Sequence, residues 1–170
     1  MKKETNFSHD LDLSLLRRAI AISHASRESG NTPFGALLAD PDGNVLLEQT
    51  NLEITTRDCT MHAELGLVRV ASQKYDKDFL WGCSLYTSCE PCAMCSGGIY
   101  WANIGRIVYA MSEKDLLKLT GDDEKNPTFN SDCRSILAHG QKAIVVAGPF
   151  PELAAEAAAA HVDYWNPSSS

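Results

Sequence analysis

Two short stretches of this sequence carry residues whose types and spacing suit chemistry. The first is His62-Ala63-Glu64, a histidine two residues from a glutamate; the second is Pro91-Cys92-Ala93-Met94-Cys95, a Cys-x-x-Cys behind a proline. A zinc ion in a catalytic site takes three protein ligands and keeps a fourth position open. His62, Cys92 and Cys95 supply three. Zinc lowers the pKa of a bound water to near neutrality, so a group must take that proton and deliver it elsewhere. Glu64 is not needed as a ligand, lies two residues from one and is of the right chemical type. Together these residues read as zinc-assisted hydrolysis with Glu64 as proton shuttle.

Each half of the pattern is weak alone. A His-x-Glu is common by chance, and a Cys-x-x-Cys also serves as a redox pair or as half of a structural zinc site. A structural site built from four cysteines wants a second cysteine pair. Cys59, Cys83, Cys89 and Cys133 are not so spaced, and each is expected to be a buried small apolar residue. His139 and His161 are expected at the surface or in the core, and His9 and His24 in solvent. A zinc-binding protein without catalytic activity is the competing class. Glu64 separates the two, because a structural site has no use for a free carboxylate beside the metal.

The elements around these residues must bring them together. Residues 11–27 place Leu11, Leu15, Ala19 and Ile22, and Leu16 and Ile20, at helical spacing, ending near Gly30. "PFGALLA" and "NVLLEQT" flank Asp40-Pro41-Asp42-Gly43 and predict a hairpin. A second helix is expected over 61–74, with Thr60 as its cap and His62 at its start. "CSLYTS" predicts a strand, and Pro91–Tyr100 a third helix with proline in its first turn. Cys92 and Cys95 then project from one face, at the helix end whose positive dipole favours thiolates. Two helix starts would thus meet at one metal. "RIVYA" predicts a strand, 113–119 a helix, 120–132 a loop, "KAIVVAG" a strand and 151–165 a terminal helix. Strands alternating with helices imply an α/β sandwich with a mixed sheet.

Composition bounds the function. The 170 residues are 44% hydrophobic and 22% charged, as expected for one soluble domain over 1–170, with Ser168-Ser169-Ser170 in a disordered tail over 166–170. No apolar run approaches a membrane span, and the lysines near the start precede no apolar stretch. A cytoplasmic location and reduced cysteines are the expectation. The net charge is −7, and the densest basic cluster is Arg17-Arg18. Both argue against a nucleic-acid partner.

His62-Ala63-Glu64 followed by Pro91-Cys92-Ala93-Met94-Cys95 resembles the signature of the zinc nucleobase and nucleoside deaminases, the cytidine deaminase superfamily. The resemblance runs from about Pro33 to Ala110. Asn51 stands eleven residues before His62, as in the cytosine, guanine and tRNA-adenosine deaminases, and "TSCEPCAMC" and "IYWA" are most similar to bacterial guanine deaminases. The resemblance implies a three-layer α/β/α sandwich with a central mixed five-stranded sheet, one zinc per chain, and Glu64 as acid/base. It also implies Phe34 and Trp101 packed around a planar ring, Asn51 bonded to its amide edge, and Ala63 and Asp115 as further substrate contacts. The implied substrate is a free nucleobase or nucleoside, a guanine-type aminopurine before cytosine, with tRNA adenosine as the alternative. A homodimer is implied as well. The aromatic end Tyr164-Trp165 would either close over an active site or pack on its own domain. Departures from the pattern are Cys59 where relatives have Pro, Met61 where they have Ala, and an unalignable Gly121–Asp132.

Overall fold

The computed structural model describes residues 7–165, so the expected tail at 166–170 lies outside the described residues. The elements in chain order are α1 (His9–Glu28), β1 (Gly35–Ala39), β2 (Val45–Thr50), α2 (Glu53–Thr56), α3 (Ala63–Lys74), α4 (Lys77–Trp81) and β3 (Ser84–Cys89). Then follow α5 (Ala93–Ala102), β4 (Arg106–Met111), α6 (Glu113–Thr120), α7 (Cys133–Ala138), β5 (Val145–Ala147), a 3-10 turn (Pro151–Leu153) and α8 (Ala154–Ala159). The five strands form one sheet in the order β2-β1-β3-β4-β5. β1 runs antiparallel to β2 and β3, while β3, β4 and β5 run parallel.

Alternation along the strands builds two cores. Ala36, Leu38, Leu85, Ile107 and Tyr109 face a cluster with Leu67, Val68 and Ala71 of α3, Ile99 of α5 and Leu137 of α7. Their neighbours Leu37, Tyr86 and Val108 face the other side, against Leu15, Leu16, Ala19 and Ile20 of α1 and Ala157 of α8. The sheet, half antiparallel and half parallel in its pairings, is thus the middle of three layers, with helices packed on both faces. A charged clasp locks α1 to the sheet. Asp12 accepts from both terminal nitrogens of Arg106 (2.6 and 2.9 Å) and from the Tyr86 hydroxyl (2.7 Å). Such two-pronged, charge-assisted pairing satisfies a buried carboxylate.

Several expectations change in detail. The terminal helix of 151–165 is instead a 3-10 turn, a six-residue helix and a run of turns. The helices α2, α4 and α7 lay in stretches with too few residues to show a period. The turn at Gly43 takes a positive φ of 86°, as the Pro-Asp-Gly turn suggested. Gly98 matters to the site: a Cβ there would overlap Leu65 of α3, so its absence lets α5 lie directly against α3.

Candidate active site

The parallel strands β3 and β4 end on one side of the sheet, which is where ligands bind in such folds. β3 leads through Glu90-Pro91 to Cys92, and β4 leads to Ser112 and Glu113. Cys92 is the N-cap of α5, with extended backbone (φ −66°, ψ 175°), and its side chain makes no capping bond. His62 is likewise the N-cap of α3 (φ −61°, ψ 152°), its imidazole free of capping duty. Thr60, expected to cap, bonds Asp58 instead; the helix starts two residues later and out of its reach.

The two helix starts face each other. His62 Nδ1 lies 3.6 Å from Cys92 Sγ and 3.7 Å from Cys95 Sγ, and the three donor atoms all lie within 4.8 Å of one another. Zn–S and Zn–N bonds of about 2.3 and 2.05 Å at a tetrahedral angle span about 3.6 Å. The donor set therefore fits zinc in both kind and spacing. The Cys95 thiol, and after it His62, hold the Cys92 thiol down to about 4, so one ligand is a thiolate at neutral pH. The same contact with Cys92, and burial, hold the Cys95 thiol up, so its proton must leave as metal binds. His62 is held up to about 9, first by Cys92. Its far nitrogen, Nε2, points toward Glu53 Oε2 at 3.7 Å, an arrangement that orients a ligand histidine.

Glu64 is 5% exposed. Its Oε2 lies 3.8 Å from Cys95 Sγ. Burial, and then the negative Cys92, raise its carboxyl to about 7, the range in which a group both takes and gives protons at neutral pH. Thr87 on β3 places its hydroxyl 3.2 Å from Glu64 Oε1 and 2.8 Å from the Cys89 carbonyl. The hydroxyl can donate to the ionised Glu64, or donate to Cys89 and accept from the protonated Glu64, so it serves both states. Thr87 was legible only as an inward strand position.

The remaining residues fall at different places. Phe34 sits half-buried just before β1, and its backbone oxygen accepts from the Asn51 N–H (3.2 Å). Asn51 is 1% exposed; its Oδ1 accepts from the Glu53 N–H (2.8 Å), and its Nδ2 has no hydrogen-bond partner among the described residues. Ala63 is fully buried at the first position of α3. Trp101 is not brought to the cluster: it is 73% exposed, edge-on to Tyr100. It follows Cys95 by six residues, roughly two-thirds of a turn out of phase. Asp115 is half exposed and committed elsewhere, to Lys118 Nζ (2.7 Å) and the capping Ser112 (2.8 Å), which hold its carboxyl low. The acid of this segment that turns inward is Glu113. It is 9% exposed, its carboxyl has no hydrogen-bond partner among the described residues, and burial, with Cys92 and Glu64, raises it to about 8. Its signal was its place two residues beyond a buried strand. Cys59, expected buried, is exposed, while Cys83, Cys89 and Cys133 are buried.

The chain's end packs on its own domain. Trp165 donates from Nε1 to His161 Nδ1 (3.0 Å), His161 meets Phe34 edge-on at 5.4 Å, and Arg27 bonds the Ala160 and Val162 carbonyls (3.0 and 2.6 Å). Burial, and after it Arg27, hold His161 down to about 4 from 6.5. The unfolded chain therefore takes up this proton first, so stability is full above pH 6.5 and is lost as pH falls toward 4. The loss attributable to His161 is up to about 3 kcal/mol. Urea unfolding at pH 7 and pH 4.5 should show a steeper acid loss in the wild type than in His161→Asn. Equal slopes would clear His161 of the effect.

The sequence pattern of one family, the cytidine and deoxycytidylate deaminase zinc-binding region, matches residues 10–111. The chain belongs to this family. It is a zinc-binding deaminase, an enzyme that hydrolyses C–N bonds, and its fold is that of the cytidine deaminases. Among its relatives is a probable cytosine deaminase of Schizosaccharomyces pombe, 37% identical over 91% of this chain and 93% of that protein. A guanine deaminase of Bacillus subtilis is 38% identical over 65% of this chain and 70% of that protein. A tRNA-specific adenosine deaminase of Haemophilus influenzae is 33% identical over 61% and 60%. A solved structure holding 2,6-diaminopurine superposes with a TM-score of 0.75 at 25% identity, over 94% of this chain and 83% of that one. The deaminase's cofactor is zinc, and His62, Cys92 and Cys95 form the site that fits it. No helix among the described residues is long and apolar enough to cross a membrane.

Proposed function

We propose that this deaminase acts on a free nucleobase, a guanine-type aminopurine first and cytosine second, and releases ammonia. The observation that carries the reading is two polar side chains of buried residues, Asn51 just before α2 and Glu113 at the start of α6, the second lying among the charges of Cys92 and Glu64. Among the described residues neither the Asn51 Nδ2 nor the Glu113 carboxyl has a hydrogen-bond partner. Neither is fully enclosed in the way the unpartnered Thr32 Oγ1, Ser84 Oγ and His161 Nε2 are, so both reach solvent and are open to a ligand. A ring edge bearing a carbonyl and N–H groups would satisfy both, and guanine has such an edge. The diaminopurine-bound structure supports a purine, and the extent of the S. pombe match supports cytosine as the second choice.

In this reading His62, Cys92 and Cys95 hold zinc, which when bound lowers the pKa of a water at the open position. Glu64 would take both protons of that water in turn, giving the first to the ring nitrogen and the second to the amino group, which leaves as ammonia when the C–N bond breaks and the water oxygen remains as the carbonyl. Phe34 lies against the ring, and Ala63, at the first turn of α3, offers a backbone N–H that no helical carbonyl uses. The chain works as a cytoplasmic homodimer. The net charge of −7 argues against a phosphate backbone as the substrate.

Guanine, cytosine, adenine, their nucleosides and a tRNA anticodon stem-loop should be compared by kcat/KM for ammonia release. Guanine is expected to lead, followed by cytosine. Inosine formation in the stem-loop, with every small molecule inert, would replace this reading with the tRNA one.

A further inference from the structure

Glu90 is among the most buried acids of the chain, 4% exposed, and it lies two residues before Cys92. Its backbone N–H donates to the Met111 carbonyl (2.8 Å). Its carboxylate bonds the starts of two helices, and the Cys133 thiol reaches it as well. Oε2 accepts from the N–H of Glu113, the first residue of α6, and Oε1 from the N–H of Cys133, the first residue of α7, both at 2.9 Å. The first N–H groups of a helix have no partner within it. In both helices the N-cap side chain, Ser112 or Asp132, serves the third residue, and Glu90 serves the first. A negative charge between two helix starts is also favourably placed.

The segment between these anchors, 112–133, carries Glu113, whose carboxyl lies among the charges of Cys92 and Glu64. It also carries Asp123, 8% exposed, whose charge is felt by Tyr164 of the C-terminal run. Residues 121–132 form neither helix nor strand; local contacts such as the Lys125 N–H to Asp123 Oδ1 (2.8 Å) and Lys125 over the Tyr164 ring hold the middle of the stretch, while Glu90 ties both of its ends to the metal-ligand turn. The metal-ligand turn has separate support: Ser96 N–H donates to the Cys92 carbonyl (2.9 Å) and Ser96 Oγ to the Pro91 carbonyl (3.3 Å).

We propose that Glu90 is a positioning residue that pins both ends of the 112–133 segment to the metal-ligand turn and thereby sets the affinity for substrate, not for zinc. This rests on the free-base reading above. Glu90→Gln keeps the shape but turns an amide NH2 against one of the two N–H groups. Cys133→Pro removes one of those N–H groups, and with it the thiol that reaches Glu90, at a first helical position, where proline is tolerated. Asp132 already has the extended backbone (φ −72°, ψ 150°) that a residue before proline takes.

The test measures KM, kcat and zinc content with guanine and with cytosine for Glu90→Gln, Cys133→Pro and the double variant. Glu90→Gln should raise KM about tenfold, the loss of one good hydrogen bond, with kcat within a few-fold and about one zinc per chain retained. In the double variant the amide carbonyl takes the Glu113 N–H and its NH2 opposes nothing, so KM should fall from the Glu90→Gln value to that of Cys133→Pro alone. A KM within twofold of wild type in Glu90→Gln, zinc loss, or no relief in the double variant would overturn the proposal. If Glu90→Gln does not fold, Cys133→Pro alone should raise KM severalfold, and an unchanged KM there would overturn it. Wild-type inertness toward both bases is a failure of the substrate reading instead. Faster hydrogen exchange at the Glu113 and Cys133 amides of Glu90→Gln or, should that variant not fold, at the Glu113 amide of Cys133→Pro then tests the anchoring, and unchanged exchange there overturns it.

Discussion

Glu64→Ala is expected to bind zinc as the wild type does and to release ammonia on the order of 10²–10⁴-fold more slowly, the usual contribution of a positioned acid/base. The expectation follows from where the carboxyl sits. It lies beside the three donor atoms without being needed among them, 3.8 Å from Cys95 Sγ, so removing it leaves His62, Cys92 and Cys95 in place. It is buried and held near 7, so it can carry a proton in either direction. Thr87 can bond it in both protonation states. Glu64→Gln separates shape from proton transfer, since it keeps the contacts but cannot shuttle, and it should be as slow as the alanine variant. Near-normal ammonia release from either would remove Glu64 from the mechanism.

Cys92→Ala and Cys95→Ala should each lose both metal and turnover. The wild type is expected to carry about one zinc per chain, and each variant a small fraction of that after dialysis against a mild chelator, with ammonia release at background. Three protein ligands are the minimum of a catalytic site. Cys92 is also the thiolate already formed at neutral pH, so its loss removes the charge that first attracts the cation. The measurement is metal analysis by mass spectrometry beside the activity assay. Full zinc occupancy in the Cys92→Ala, Cys95→Ala double variant would sink the ligand assignment.

How far the sequence could be read depended on the range of the forces involved. Local periodicity and turn chemistry act within a few residues, so α1, the hairpin at Asp40–Gly43, the five strands and the helix carrying Cys92 and Cys95 were legible. The chemical nature of the site was legible too, because zinc restricts the residue types and helix geometry restricts the spacing. The short helices and the break in the C-terminal stretch were not, because a single turn of helix owes its existence to packing more than to propensity.

The choice between Asp115 and Glu113 shows the limit most clearly. The two acids stand two residues apart, and by type either could face a substrate. Ser112 caps α6, draws Asp115 into its capping interaction beside Lys118, and leaves Glu113 turned inward behind the Glu90 carboxylate. Trp101 is a similar case, since an aromatic near a ligand helix gains or loses a pocket by its phase around the axis. By itself the sequence determined the layers of the fold, the donor atoms suited to zinc and the carboxylate beside them. Only the tertiary structure decided which helix faces meet, which acid is buried and which polar groups go without partners, because those depend on contacts between residues far apart in the chain.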